Sequence, residues 1–229
     1  YHGDVKCALG WGCWKTYVGR PETDNEARIM AMTTLGNGLS NANHHEAALS
    51  VKEAELAIER RRHGGAITSN MLTMQANLAN LYKLLGRYAE CLQTNRQVLA
   101  LCLSGYGREH MDTLSAVINL VSILNDWAGA GPGRFDEAKS LLSQSMPVAR
   151  RVLGESHRIT IFMRSSFENA RYLDPSTTLN DHRDAVVALE EVVRDVRRVL
   201  GATHPDVQQI ERSLQNARRM LRARENPDA

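Results

Sequence analysis

The sequence has few of the residues on which β-rich and disulfide-rich folds depend. Aromatic residues occupy 5% of its 229 positions, and it contains six prolines and four cysteines. Sandwiches and barrels of short strands need aromatic and turn residues at close spacing, so the composition argues against them. The cysteines (Cys7, Cys13, Cys91 and Cys102) form no Cys-x-x-Cys pair and have no zinc-site spacing. We therefore expect buried, reduced thiols, as in a cytosolic protein.

Long apolar runs and a strong net charge are also absent. No apolar run approaches the roughly 18 residues that cross a bilayer, so we expect no membrane partner. The formal net charge of +2 does not by itself indicate nucleic acid or membrane as a partner. The chain starts at Tyr1 without an initiator Met or a signal-peptide pattern. This start suggests a piece of a longer protein, and we expect a cytoplasmic location.

Two sequence markers recur along the chain. Glycines that close a short tail, Gly64, Gly107, Gly154 and Gly201, are spaced by 43, 47 and 47 residues. An acidic residue followed by a small one recurs at Glu46-Ala47, Glu90-Cys91, Glu137-Ala138 and Asp184-Ala185, spaced by 44, 47 and 47. Two independent markers with one period indicate a repeat protein.

Each repeat has the pattern of two helices. In the clearest one, apolar residues at helical spacing predict a helix over 72–85 and, after Gly86, a second over 88–103. The small residue near the start of the second helix allows close approach to the first helix. Pro147 predicts a kink inside a second helix. Polar residues after the tails predict N-caps: Asp24, Thr68, Asp112 and Asp206.

These markers divide the chain into an array with two distinct ends. Residues 1–19 match the second helix of a truncated repeat, 202–224 a capping helix with one polar face, and 225–229 a frayed tail. The full repeats are 20–64, 65–107, 108–154 and 155–201. The inner loops of the third and fourth repeats are long (127–133 and 174–180), and either form contact surfaces or are neutral insertions.

Three motifs resemble a known family. Asn77-Leu78-Ala79-Asn80-Leu81-Tyr82, Gly86-Arg87-Tyr88-Ala89-Glu90-Cys91 and Gly107-Arg108-Glu109-His110 are similar to the tetratricopeptide repeat of the kinesin-light-chain type. The resemblance covers essentially the whole chain. It implies an all-α, right-handed α-solenoid of antiparallel helix pairs, and a non-enzymatic scaffold that binds an extended peptide or partner protein in a concave groove. It implies no cofactor.

A column of polar residues marks the first helices. Its members are three residues apart, which keeps each pair on one helix surface. We predict that Asn37, Asn77, Asn80, Asn119, Ser122 and Asn169 line the groove, and that Lys83, Asn125 and Tyr172 flank it. In arrays that this chain resembles, such asparagines bind the backbone of a peptide, and a carboxamide offers both a donor and an acceptor. The alternative is that these asparagines bond neighbouring helices and only stabilise the stack.

Motifs for catalysis and phosphate binding are missing. The cluster His44-His45-Glu46 follows the repeat pattern, so we expect no metal there. The histidines of the tails, His110, His157 and His204, recur once per repeat, which favours a structural role in the turn. An alternative function is the regulatory region of a larger enzyme or switch whose catalytic, zinc or nucleotide domain lies outside these residues.

Arginines crowd the C-terminal part of the chain: Arg194, Arg197, Arg198, Arg212, Arg218, Arg219, Arg222 and Arg224. Their local excess over acidic residues is modest, and no aromatic residues are interleaved for base stacking. The pattern favours a charged outer helix face over nucleic-acid binding.

Overall fold

The computed structural model describes residues 2–17, 25–64, 67–131 and 133–226. Within these ranges the chain forms ten α-helices, a single turn of 3-10 helix (Ala128–Ala130) and no strand. The helices are α1 (His2–Lys15), α2 (Asn25–Asn41), α3 (His45–Arg62), α4 (Ser69–Leu84), α5 (Tyr88–Tyr106), α6 (Met111–Asp126), α7 (Arg134–Leu153), α8 (Arg158–Leu173), α9 (Leu179–Leu200) and α10 (Pro205–Glu225). None of these helices is both long enough and apolar enough to cross a membrane.

The chain divides into two compact units, Tyr1–Leu101 and Cys102–Ala229. In the first unit α1 packs against α2, α2 against α3, and α3 against α4. Helices α2, α3 and α4 share one apolar core. Its buried residues are Ile29, Leu35, Leu39, Ala48, Leu49, Leu56, Met71, Met74, Leu78 and Leu81. Each helix therefore buries its apolar face against the next, as a repeat array requires.

The second unit follows the same scheme. Its helices α6 to α10 pack in chain order, and the first helices of successive repeats also contact each other, α6 with α8 and α8 with α10. The core of the last three helices contains Ile161, Tyr172, Ala185, Leu189, Val192, Val196, Val207, Ile210, Leu214 and Ala217. Pro205 occupies the start of α10, where the missing N–H of proline is tolerated.

The two helices predicted around Gly86 are confirmed, and they are two and three residues longer than expected. Helix α4 begins three residues early because the Thr68 side chain accepts a hydrogen bond from the Met71 N–H, as the N-cap prediction required. Helix α5 runs past Leu103 to Tyr106 and ends before Gly107, whose φ is 80°. Pro147 lies inside α7, which continues through it.

The turns between paired helices correct the predicted register of the first repeat. Asn43 and Gly86 have φ values of 63° and 72° and lie 43 positions apart in equivalent turns. Asparagine tolerates this left-handed conformation better than other residues with a Cβ. On this register Ala48, which is fully buried, corresponds to the buried Cys91. The prediction that Ala47 fills the small-residue position is wrong, because Ala47 is exposed.

The cysteines agree only in part with the expectation of burial. Cys91 and Cys102 are buried, whereas Cys7 is half-buried and Cys13 is exposed on α1. Burial raises the pKa of the Cys102 thiol above its ordinary value, which keeps it protonated. A buried, protonated thiol acts as a small apolar side chain.

The tail histidines are helix N-caps. The Nδ1 atoms of His110, His157 and His204 each accept a hydrogen bond, 3.2 Å long, from the backbone N–H two residues ahead. The predicted caps Asp112 and Asp206 are therefore wrong. They are the second residues of their helices, where a carboxylate complements the helix dipole. The predicted cap Asp24 lies outside the described residues.

Replacing the cap of α8 tests this role. We expect His157→Ala to lower the free energy of unfolding by about 1 kcal/mol, because an orphan N–H at the helix start loses its acceptor. His157→Asn, which supplies a capping oxygen, should restore most of this loss. Urea unfolding followed by circular dichroism measures both values. Equal stability of the alanine and asparagine variants would contradict the capping role.

An ion pair fastens α10 to α8. The Arg158 guanidinium donates from Nε and from NH2 to the Asp206 carboxylate, the latter over 3.0 Å. The hydrogen bond from Arg158 holds the pKa of Asp206 below its ordinary value. A carboxyl group with a lowered folded-state pKa stabilises the fold above its ordinary pKa, and this contribution disappears as the pH falls through the folded value.

The sign of this effect can be measured. We expect Asp206→Asn to destabilise the protein at about pH 7 and to differ less and less from the wild type as the pH falls through the lowered folded-state pKa of Asp206. Urea unfolding across this range gives the difference. In an Arg158→Met background the same substitution should have a smaller effect. A difference that grows toward acid pH would overturn the assignment.

Candidate peptide-binding face

The residues predicted to line or flank a groove all lie on first helices of repeats. Asn37 is on α2, and Asn77, Asn80 and Lys83 are on α4. In the second unit Asn119, Ser122 and Asn125 are on α6, and Asn169 and Tyr172 are on α8. Their environments differ, and the differences separate residues that a ligand can reach from residues that hold the repeats together.

In the first unit the three asparagines point to solvent. Asn37, Asn77 and Asn80 are exposed. None of them has a hydrogen-bond partner among the described residues. We call these three residues the carboxamide face. Each offers an unused donor and an unused acceptor, which are the groups that bond to a peptide unit.

The local sequence explains why α4 exposes its asparagines. Leu78 and Leu81 are buried in the shared core, one position beyond Asn77 and Asn80 respectively. One position along a helix is a rotation of about 100°, so a buried leucine turns its preceding neighbour away from the core. The period of three and four that predicted the helix thus also sets the outward direction of the asparagines.

A polar cluster joins the end of α4 to α3. The Tyr82 hydroxyl donates to Glu53 Oε1 over 3.0 Å, and the Arg87 guanidinium lies 4.8 Å from the centre of the Tyr82 ring. Burial, followed by the bond to Glu53, raises the pKa of Tyr82. Lys83 is half-buried and already has an interaction partner. Sequence reasoning did not find Glu53, because it lies on another helix, 29 positions away.

The second unit uses two of its predicted residues internally. Asn125 is buried and its Nδ2 donates to the Ser166 carbonyl on α8 over 3.1 Å. Asn169 is half-buried and donates to Ser213 Oγ on α10 over 3.3 Å. For these two asparagines the alternative interpretation, bonding between neighbouring helices, fits the structure. The 47-residue period that relates Ser166 to Ser213 is the signal from which these partners could have been found.

Tyr172 does not flank an accessible surface. Its side chain is 3% exposed and lies in the core shared by α8, α9 and α10. Burial raises the pKa of Tyr172 to about 12. A contact between Tyr172 and a ligand does not fit this position. The prediction relied on the spacing of Tyr172 from Asn169 and contained no information on the neighbouring helices. On α6, Asn119 is exposed and Ser122 is half-buried with an interaction partner of its own.

The two long inner loops of the second unit border one cavity. Lys139 on α7 pairs with Asp174, just after α8, over 2.9 Å, and Arg224 on α10 donates to the Thr177 carbonyl over 2.6 Å. The space between the loops is a cavity of about 500 Å³. Its lining residues are Gly131, Arg134, Phe135, Asp136, Asp174, Pro175 and Ser176. The loop after α8 is therefore bonded to both α7 and α10.

Metal ions and nucleic acids would each need a cluster of ligating or cationic side chains. Among the described residues, His, Cys, Asp and Glu side chains form no group of three that could hold a metal ion. Several arginines of the C-terminal cluster already have acidic partners, as in Arg197 with Glu211 over 2.5 Å and Arg218 with Glu190 over 2.7 Å. These pairs reduce the positive charge available to a phosphate backbone.

Comparisons with known proteins agree with the repeat architecture. A tetratricopeptide repeat family model matches residues 71–112 and 177–206. These segments include α4 with α5, and α9. No curated protein matches the sequence.

Solved structures extend the comparison to most of the chain. One solved structure contains the nearly identical TPR-like repeats of a kinesin light chain from Podosopora anserina. It superposes on this chain with a TM-score of 0.63 at 17% identity, and the match covers 87% of each chain. BtubC (BKLC) from P. vanneervenii superposes with a TM-score of 0.64 at 14% identity, covering 99% of this chain and 93% of its own. The predicted tetratricopeptide pattern is confirmed in the two matched segments, and the fold is an all-α solenoid similar to those of kinesin-light-chain-like repeat proteins. Tetratricopeptide repeats generally mediate protein–protein interaction.

Two asparagines of α6 provide an internal comparison. Asn125→Ala should lower the free energy of unfolding by about 1 kcal/mol, because the hydrogen bond from Asn125 to the Ser166 carbonyl is lost. Asn119→Ala, at an exposed position on the same helix, should change it by less than about 0.5 kcal/mol. Urea unfolding measures both. Comparable effects would mean that exposure does not separate structural from ligand-accessible asparagines here.

Proposed function

We propose that this array of tetratricopeptide repeats is a non-enzymatic scaffold that binds an extended peptide, or an extended segment of a partner protein, on the exposed side of its first helices. The carboxamide face of the first unit (Asn37, Asn77 and Asn80) is the principal contact. Asn119 is the corresponding contact in the second unit. The proposal places the protein in the cytoplasm and requires no cofactor.

The observation that supports the proposal is the contrast among the asparagines. Asn125 and Asn169 bond to neighbouring helices, whereas Asn77 and Asn80 are exposed and have no partner in the described part of the chain. An exposed carboxamide can exchange its hydrogen bonds to water for hydrogen bonds to a peptide group. Two carboxamides held on one helix are already positioned side by side, which lowers the entropy cost of binding.

The spacing of the asparagines suits an extended backbone. Residues three apart on a helix have Cβ atoms about 5–6 Å apart. Along one edge of an extended chain the peptide groups repeat about every 6.6 Å, two residues at 3.3 Å each. The reach of an asparagine side chain covers the difference. Asn77 and Asn80 can therefore bond to successive outward peptide groups of the same ligand strand.

The alternative function, a regulatory region of a larger enzyme or switch, would use the same face. In that case the peptide would be a segment of the larger protein. The carboxamide face is therefore the feature to test first, whichever protein supplies the ligand.

A random library of 12-residue peptides displayed on phage provides the probe. We expect peptides selected on the immobilised chain to bind Asn77→Ala/Asn80→Ala at least tenfold more weakly than the wild type, since two backbone hydrogen bonds are lost, each worth about 0.5–1.5 kcal/mol. Fluorescence polarisation with synthetic peptides gives the dissociation constants, and circular dichroism confirms that the variant is folded.

A matched control lies in the same unit. Gln93 and Gln97 are also exposed carboxamides, but they lie on the second helix α5. Gln93→Ala/Gln97→Ala should leave the dissociation constants unchanged. Failure to select any peptide, or an equal loss in both double variants, would overturn the proposal.

A further inference from the structure

Two stripes of exposed side chains occupy equivalent positions in the first unit. The turn residues Asn43 and Gly86, both with positive φ and 43 positions apart, set the correspondence between α2 and α4. On this register the exposed residues Met30, Thr34, Asn37 and Asn41 of α2 correspond to Thr73, Asn77, Asn80 and Leu84 of α4. Steps of four, three and four residues keep each stripe on one side of its helix.

The eight side chains of the two stripes carry no charge, which is unusual for exposed positions of a chain in which 24% of residues are charged. The exposed Glu26 lies one turn before Met30 on the same side of α2, and it pairs with Arg62 over 3.6 Å. The second helix between the stripes, α3, exposes charged residues of both signs, among them Glu53 and Arg60. A charged ligand residue placed on either stripe would lose hydration without meeting an opposite charge.

On the two stripes, the carboxamides are the groups that can form hydrogen bonds with a ligand. The hydroxyl groups are already used within their own helices, since Thr34 Oγ1 donates to the Met30 carbonyl over 2.8 Å and Thr73 Oγ1 to the Ser69 carbonyl over 3.1 Å. The asparagines thus supply the free polar groups of these stripes, and they are neutral donors and acceptors. Lys83, beside the α4 stripe, is half-buried and already engaged.

An apolar side chain ends each stripe, at opposite ends of the two helices. Met30 is 71% exposed near the start of α2, and Leu84 is 58% exposed at the end of α4. Both values are far above those of the core residues of the same helices, which are 7% or less. A ligand that covers a stripe from end to end therefore meets carboxamides in the middle and an apolar side chain at one end.

We infer that the first unit selects an extended peptide segment that is uncharged where it contacts the carboxamide face and that places apolar side chains on Met30 and Leu84. This inference rests on the proposed function and adds the chemical class of the ligand. Recognition combines hydrogen bonds to the peptide backbone with apolar contacts, and excludes acidic and basic side chains through the cost of desolvating them.

The peptides selected from the phage library test the chemical class. We expect their contact positions to be depleted in Asp, Glu, Lys and Arg, and their dissociation constants to change less than about twofold between 50 and 500 mM NaCl, because screening acts only on charges. Charged consensus residues, or binding that weakens steeply with salt, would overturn the inference while leaving a dependence on Asn77 and Asn80 intact. Loss of that dependence would instead overturn the proposed function.

Introducing a charge gives a gain-of-function test. Selection on Asn80→Lys should yield acidic peptides whose binding weakens with salt, since the stripe then holds an unpaired cation. Selection on Gln93→Lys, with the same change on α5, should give the wild-type peptides. If the Asn80→Lys variant still selects uncharged peptides, charge does not determine specificity on this face and the inference fails.

The apolar ends have their own test. Met30→Ser and Leu84→Ser should each weaken binding of the selected peptides by about tenfold, the order of effect expected when an apolar side chain loses a buried contact. Val187→Ser, at a position 56% exposed on α9 of the second unit, serves as the control and should have no effect. Unchanged binding by both Met30 and Leu84 variants would contradict the apolar part of the inference.

Discussion

The structure depends on close contact at one small residue near the start of each second helix. Ala48, Cys91, Ala138 and Ala185 are at most 2% exposed. Ala48 lies in one core with Leu35 and Leu39 of α2, and Ala185 lies in one core with Tyr172 of α8. Because these side chains are small, paired helices approach until their larger apolar residues interlock. A bulkier residue at these positions would separate the helices and uncover the core.

This contact also decides which side of a first helix remains free. Once one side of α4 packs on α3, Asn77 and Asn80 are left on the outside. The same rule produces a different result in the second unit, where α6 packs on α8 and α8 on α10. There, Asn125 and Asn169 reach the neighbouring helix and bond to it. Asn80 and Asn169 occupy equivalent positions of their first helices, so for this pair the neighbouring helix makes the difference.

In the repeat motif, the histidine and the residues after it have separate structural roles. His110, His157 and His204 each satisfy a backbone N–H at the start of a helix. After His110 and His204, the carboxylates of Asp112 and Asp206 are therefore not needed as caps and can make other contacts. At Asp206 that contact is the pair with Arg158, which ties α10 to α8. In an array whose stability is a sum of neighbour contacts, such ties between successive repeats contribute directly to stability.

Much of this fold could be predicted from the sequence, because helix period, small-residue positions and repeat spacing are local properties of the chain. The same locality explains the errors. The predicted small residue, Ala47, is one position before the residue that packs, Ala48. The error arises because the repeat spacing does not reveal the length of the turn at Asn43. Asp112 and Asp206 are of a residue type that often caps helices, but the histidine two residues before each of them is the residue that accepts the hydrogen bond.

The sequence by itself determined that the protein is a stack of helix pairs with asparagines on the first helices, since both follow from periodicity along one chain. It did not determine which asparagines remain available. Whether a polar side chain is exposed, as at Asn77 and Asn80, or bonded across a helix boundary, as at Asn125, depends on atoms 40 or more residues away. Only the tertiary structure brings those atoms together, so only it separates a stabilising asparagine from one that a ligand can reach.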